Sequence, residues 1–268
     1  MSPCRYVILD PTGNLTALVL DPVAPKAEAS LTEALLKFSE QVAYLEPPIL
    51  PGAEAAIRLM GGEFCGNASM AAAAWLLRDR FTGPEAQTIS LQVSGANQPV
   101  PCRVEKIATG FRGTVLMPPV LDVQSVRLLD RSFTAVRMEG ILHLIDEDAP
   151  LDHPAAEALM ARLAALLPDE AIGLLRWDRA AGMLVPLVFV RGSGSMVWEH
   201  GCGSGSAAVG AFEALRHGEG LTVTDIRQPG GVITVRAEVR NARITSVSIT
   251  GNIRFGPVGR MGTVPDGP

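Results

Sequence analysis

Residues Gly61–Leu76 read GGEFCGNASMAAAAWL, and the place of Cys65 in that stretch decides how the chain is read. The cysteine stands between a glycine-rich turn and an alanine-rich run with strong helix propensity. A structural cysteine is a small buried apolar residue and has no need of such a place. A thiol at a helix N-terminus faces N–H groups without intrahelical partners and the positive end of the macrodipole, and both favour the thiolate. The run that follows is small or apolar on every side, which predicts a helix buried all round.

A second stretch repeats the pattern. Setting CGNASMAAAAW, from Cys65, over CGSGSAAVGAF, from Cys202, aligns the two cysteines, Gly66 with Gly203 and Ser69 with Ser206. Trp75 and Phe212 fall at the same offset. Each half of the chain then holds strands, a glycine-rich turn, a cysteine and a helix. This predicts an α+β fold of two similar lobes, 1–118 and 119–268, each a sheet wrapped round a central helix, with the last strand free to return to the first lobe. With Cys65 and Cys202 facing one cleft, one thiolate removes a proton from carbon while the other thiol delivers one to the opposite face. That inverts a stereocentre without a cofactor. The helix N-termini would hold an α-carboxylate and the enediolate-like charge of the transition state.

Composition narrows the alternatives. The 268 residues are 47% hydrophobic and 19% charged, which is a globular and not a disordered balance. The net charge is -5 and no basic run is present, which disfavours nucleic acid as a partner. The opening MSPCRYVILDPTGNL lacks a basic segment followed by an apolar one, and ASMAAAAWLL is too short to span a bilayer. These features predict a cytoplasmic protein. Cys4, Cys65, Cys102 and Cys202 are widely spaced without C-x-x-C pairs, so neither a zinc site nor a disulfide framework is expected. The acidic DEDAPLDHP, from Asp146, reads as a solvated loop and not a metal site. Lys26, Lys37 and Lys106 lie outside any glycine-rich motif, which argues against a pyridoxal Schiff base. No phosphate loop or dinucleotide fingerprint appears. The expected cofactor is none.

Further elements read from pattern include a strand pair in RYVILDPTGNLTALVLD and a helix entered at Ser30 with Leu31, Ala34, Leu35 and Phe38 on one face. HPAAEALMARLAALLP reads as a helix, RWDRAAG as a charged turn, and Trp75 and Trp198 as packing residues.

The residues that carry the chemistry resemble the diaminopimelate epimerase superfamily, the pyridoxal-independent amino-acid racemases and epimerases. PTGN, ending at Asn14, is similar to the family's N-terminal G-N motif; FCGNA and WEHGCGSGSAA are similar to its two catalytic-cysteine motifs. QPGGVITV and VSITGNIRF are similar to its closing strands. The resemblance implies that Cys65 and Cys202 are the paired acid and base. It places Asn14, Gly66, Asn67, Gly203 and Ser204 round the substrate's α-carboxylate and amine. Glu199 takes the place of the glutamate in the family's Y-E-R-G stretch, and MEGILHLI offers His143 as the nearby histidine.

This chain also departs from the diaminopimelate pattern. EHGCGSG runs almost directly into the cysteine, and His200 stands where the family has the arginine that grips a second amino-acid head. Gly140 stands at one asparagine position and LVPLVFV lacks the other. Losing those partners removes several charge-assisted hydrogen bonds, each worth about 1.5–3 kcal/mol. The shorter loop resembles the histidine racemase branch, which supplies D-histidine for opine-type metallophores. The expected partner is therefore a small-molecule amino-acid substrate with one stereocentre; His200 reads either as a contact to its side chain or as an exposed loop histidine, and a homodimer is left open. Diaminopimelate epimerase, a phenazine-biosynthesis-type isomerase and a non-catalytic amino-acid-binding protein stand as the rival readings.

Overall fold

The computed structural model describes residues 3–148 and 151–262. Two compact units emerge: one holds the chain up to Leu116 together with the run from Thr250, the other Met117–Ile249.

The first unit contains β1 (Cys4–Pro11), β2 (Thr16–Val19), α1 (Pro25–Leu35), β3 (Gln41–Glu46), β4 (Ala55–Leu59), α2 (Gly66–Leu77), β5 (Gln87–Val93), β6 (Val100–Ile107) and β7 (Gly110–Leu116). Its strands are hydrogen-bonded in chain order from β1 to β7 and then to the later part of β16 (Arg243–Met261). That part of β16 also pairs antiparallel with β1, from Cys4↔Met261 to Pro11↔Ile253, so the sheet closes on itself. Helix α2 fills the interior. Gly66–Ala74 and Leu77 are all buried, and the alanines let β1, β5, β6 and β7 approach closely. Helix α1 covers the outside, where Leu31 and Leu35 pack with Ala17, Val19, Val42 and Tyr44.

The second unit contains β8 (Val120–Leu128), β9 (Arg131–Met138), β10 (Ile141–Asp146), α3 (His153–Leu166), β11 (Ala171–Asp178), β12 (Met183–Val190), β13 (Ser195–Trp198), α4 (Gly203–His217), β14 (Gly220–Gln228) and β15 (Gly231–Arg240). Its strand order is β8-β9-β10-β11-β12-β14-β15, continuing to the earlier part of β16, with β13 paired on β12. Helix α4 packs against β14 and β15 and also touches β8 to β11. Helix α3 lies on the other face, its Leu159, Met160 and Leu163 joining Leu142, Leu144, Ile172 and Leu174.

Three expectations are corrected here. The first helix begins at Pro25, not Ser30, and ends at Leu35. Proline suits the first helical turn because its missing N–H is unpartnered there anyway. Phe38 is outside the helix and 42% exposed. Beyond it, QVAYLE is strand β3, whose Val42, Ala43 and Tyr44 are buried. Arg176–Asp178, read as part of a turn, ends β11, where Trp177 is buried. In the acidic stretch, Asp146 is buried and paired with Arg131, and Asp152 caps α3 through the Ala155 N–H at 2.8 Å. Ala149 and Pro150 of that stretch lie outside the described residues. Among the described residues no helix is long and apolar enough to cross a membrane, and no cluster suits a metal ion.

Candidate active site

Both cysteines are helix caps. Cys65 is the N-cap of α2, in extended backbone conformation, and its sulfur accepts the Ala68 N–H at 3.4 Å. Cys202 is the N-cap of α4, and its sulfur accepts the Gly205 N–H at 3.2 Å. Ser69 and Ser206 each donate a hydroxyl to the carbonyl of their own cysteine at 2.7 Å. The backbone N–H groups of the first two helical residues, Gly66 and Asn67 in α2 and Gly203 and Ser204 in α4, have no acceptor within their own helix. They are anion donors by position.

The surroundings of the two sulfurs differ. Cys65 is half-buried, and the side-chain amide of Gln41 donates to it at 3.4 Å. The same nitrogen donates to Asn14 Oδ1 at 2.6 Å and Thr16 Oγ1 at 2.8 Å. Asn14 in turn donates to the Glu40 carboxylate at 3.0 Å. Donors round a sulfur favour its anionic form. Cys202 is buried, and burial pushes its thiol well above the ordinary range, with the hydrogen-bonded Glu199 carboxylate raising it further. The Ser204 hydroxyl, at 3.6 Å, and the Gly205 N–H act in the opposite sense.

Glu199 is held from behind by its N–H, which donates to the Pro186 carbonyl at 3.1 Å. His200 is exposed, and its carbonyl accepts the Gly230 N–H at 2.7 Å. Trp198, just before them, does more than pack. Its indole N–H donates to Glu157 at 2.7 Å and its ring stacks on His153, both from α3.

His143 is wholly buried in β10, and neither ring nitrogen has a hydrogen-bond partner among the described residues. Burial holds its pKa down at about 3, so the ring is neutral at physiological pH. The ring lies over Gly173 on β11, where any Cβ would overlap it. Leu175, on the same face of that strand, reaches the Gly205 position of α4. The histidine therefore sits between the sheet and α4.

The expected residues thus fall into two groups. Asn14 is joined to Cys65 through Gln41, with Gly66 and Asn67 next along α2. Glu199 and Ser204 contact Cys202, with Gly203 beginning α4. Sequence reasoning missed Gln41, Glu40 and Gln228. Glu40 and Gln41 follow a run whose pattern from Ser30 to Phe38 predicts a helix, and Gln228 opens QPGG, which by itself carries no role.

The family model described as the histidine racemase CntK N-terminal domain matches residues 4–261. The chain belongs to the histidine racemase family. It is 27% identical to a histidine racemase of Fusobacterium nucleatum, over 84% of this chain and 86% of that one. It is 25% identical to a histidine racemase of Staphylococcus aureus, over 91% and 92% of the two chains. Among solved structures, a hydroxyproline epimerase from Agrobacterium vitis is similar with TM-score 0.74 and 14% identity, over 99% and 95% of the chains. A protein of Pseudomonas aeruginosa described as a predicted epimerase gives 0.67 and 18%, over 97% and 100%. These likenesses are to the fold, a sheet-rich α+β architecture. Family membership makes this chain an isomerase of the amino-acid racemase type.

Proposed function

We propose that this chain is a histidine racemase that inverts the α-carbon with Cys65 and Cys202 as its two proton-transfer groups. The observation that carries the reading is the matched pair of caps. In each, a thiol takes the N-cap place, accepts the N–H three residues on, and has its carbonyl locked by a serine. We infer further that the two units are pseudo-symmetric lobes of the diaminopimelate epimerase kind. Histidine as substrate rests on the names of the relatives. Four free cysteines suit the reducing cytoplasm, which we propose as the location.

In this mechanism one thiolate takes the α-proton and becomes a thiol. The electron pair passes into the α-carboxylate as an enediolate, and the other thiol gives its proton to the opposite face. The N–H groups of Gly66, Asn67, Gly203 and Ser204 hold the carboxylate and the charge that grows on it. Burial and Glu199 keep Cys202 protonated at neutral pH, which suits the donating thiol. The amide of Gln41 suits a sulfur that abstracts.

The test incubates reduced protein with L-histidine and follows D-histidine by chiral chromatography, with diaminopimelate and proline alongside. The expected result is racemisation of histidine, reduced at least 1,000-fold in Cys65→Ser and Cys202→Ser, roughly the scale of losing a nucleophile or base. Both variants are expected to melt within a few degrees of the parent, because serine is a good N-cap residue. Reaction with diaminopimelate alone would overturn the substrate, and full activity in either variant would overturn the two-thiol mechanism.

A further inference from the structure

A buried glutamine on the β14–β15 hairpin grips the Cys202 backbone. Gln228, the last residue of β14, is almost fully buried. Its Oε1 accepts the Cys202 N–H at 2.7 Å. Its Nε2 donates to the Ser206 hydroxyl at 2.7 Å, and that hydroxyl donates to the Cys202 carbonyl at 2.7 Å. Two residues on, the Gly230 N–H donates to the His200 carbonyl. Both peptide groups of Cys202 are thus held through one side chain from outside the helix.

The first unit is built differently. Ser69 makes the same bond to the Cys65 carbonyl, but the strand glutamine there, Gln41, donates to the thiol itself. Gln228 makes its hydrogen bonds to the Cys202 main chain and to Ser206. With Ser206, Gln228 closes a ring of hydrogen bonds round the residue whose sulfur must reach a carbon.

We infer that Gln228 is the positioning residue of Cys202: it fixes the main chain from which the thiol is aimed, without touching the substrate. The inference rests on the two-thiol reading above. Misaiming a reacting group by about 1 Å costs on the order of 100-fold, and here only one of the two proton transfers would suffer. The consequence is specific. In Gln228→Leu, Cys65 still removes the α-proton from the enantiomer it serves, but capture by Cys202 slows. The carbanion then returns to Cys65, whose half-exposed thiol exchanges with solvent. That enantiomer gains deuterium from heavy water without inverting. For the other enantiomer abstraction itself is slow, and every carbanion formed is captured by Cys65.

The experiment measures deuterium in recovered substrate against inversion, from each enantiomer of histidine, in the parent and in Gln228→Leu. The expected result is inversion slowed about 10- to 100-fold, with the ratio of exchange to inversion raised at least fivefold for one enantiomer only. An unchanged ratio beside slow inversion means a structural role alone and overturns the inference, as does a parental rate. Gln228→Glu covers the case in which the leucine variant does not fold. Protonated, the glutamic acid keeps both hydrogen bonds; ionised, it loses the donation to Ser206. Its activity relative to the parent should fall as pH rises through the titration of that carboxyl, and a constant relative activity overturns the inference. Cys202→Ser separates the two readings. If it still inverts histidine, the two-thiol mechanism falls and this inference with it; if it is inactive while Gln228→Leu keeps the parental ratio, only the inference falls.

Discussion

Cysteine is an indifferent helix cap. Its sulfur, a weak acceptor, takes the N–H groups of Ala68 and Gly205, where Asp152 offers that of Ala155 a carboxylate oxygen. Serine and aspartate are the stronger caps, so stability alone does not account for cysteine at 65 and 202. Among their neighbours are an amide donor at Cys65 and a carboxylate at Cys202. Removing the donor tests that difference. In Gln41→Leu, alkylation of Cys65 by iodoacetamide at neutral pH should slow about tenfold, the scale of one hydrogen bond to a charged group. Peptide mass spectrometry reads this directly, and an unchanged rate would remove Gln41 from the account. Cys65 was legible, as the cap of a helix, from its place after a glycine turn. Gln41 was not, because it is brought to Cys65 by the pairing of β3 with β2, and no local pattern carries that information.

At the level of elements, the two buried helices were the clearest features of the sequence. Alanine, glycine and serine on all faces leave a helix no surface to show to water, so both could be placed from their starting cysteines. What the pattern could not show is how closely the strands come. Gly210 of α4 lies against β15, and a Cβ there would overlap the side chain of Val235. At the corresponding place in α2 the chain has Ala73, fully buried and accommodated. Gly210→Ala gains about 1 kcal/mol of helix propensity, but a β-branched residue in a strand has little rotamer freedom to give way. We expect overpacking to win, with a net loss of about 1–2 kcal/mol in urea denaturation. A gain in stability would mean that β15 yields easily. The misplaced first helix teaches the converse. Ser30 and Glu33 imitate a capping box, yet Pro25 starts the helix earlier, and its Ala27, Leu31 and Leu35 face the sheet.

For the molecule as a whole, buried ionisable groups limit stability at both ends of the pH scale. His143 has a folded pKa of about 3 against an ordinary 6.5, so the unfolded chain binds more protons between those values. Its contribution to stability is present above about 6.5 and is lost as pH falls towards 3. Cys102 behaves in the opposite way. Burial pushes its thiol up to about 12 from 9.0, so the unfolded chain loses its proton first. Stability then declines as pH rises from about 9 towards 12. Urea midpoints measured across pH should fall on both sides. In His143→Leu the decline between pH 6.5 and 4 should be shallower than in the parent. An equally steep decline in that variant would assign the acid limb to other groups.

The sequence by itself determined the family and the elements that mark it: two cysteines, each capping a small-residue helix, in a chain without the motifs of bound cofactors. It could do so because helix caps, glycine turns and small-residue helices are set by neighbours a few positions apart. Tertiary structure decided which side chains from other elements meet those cysteines. Gln41 reaches Cys65 through the pairing of β3 with β2 and joins Asn14 and Glu40 to it, and Gln228 reaches the Cys202 main chain from the end of β14. Which side chains meet there follows from strand register. A one-residue slip turns every side chain to the other face, and register is a property of the folded sheet.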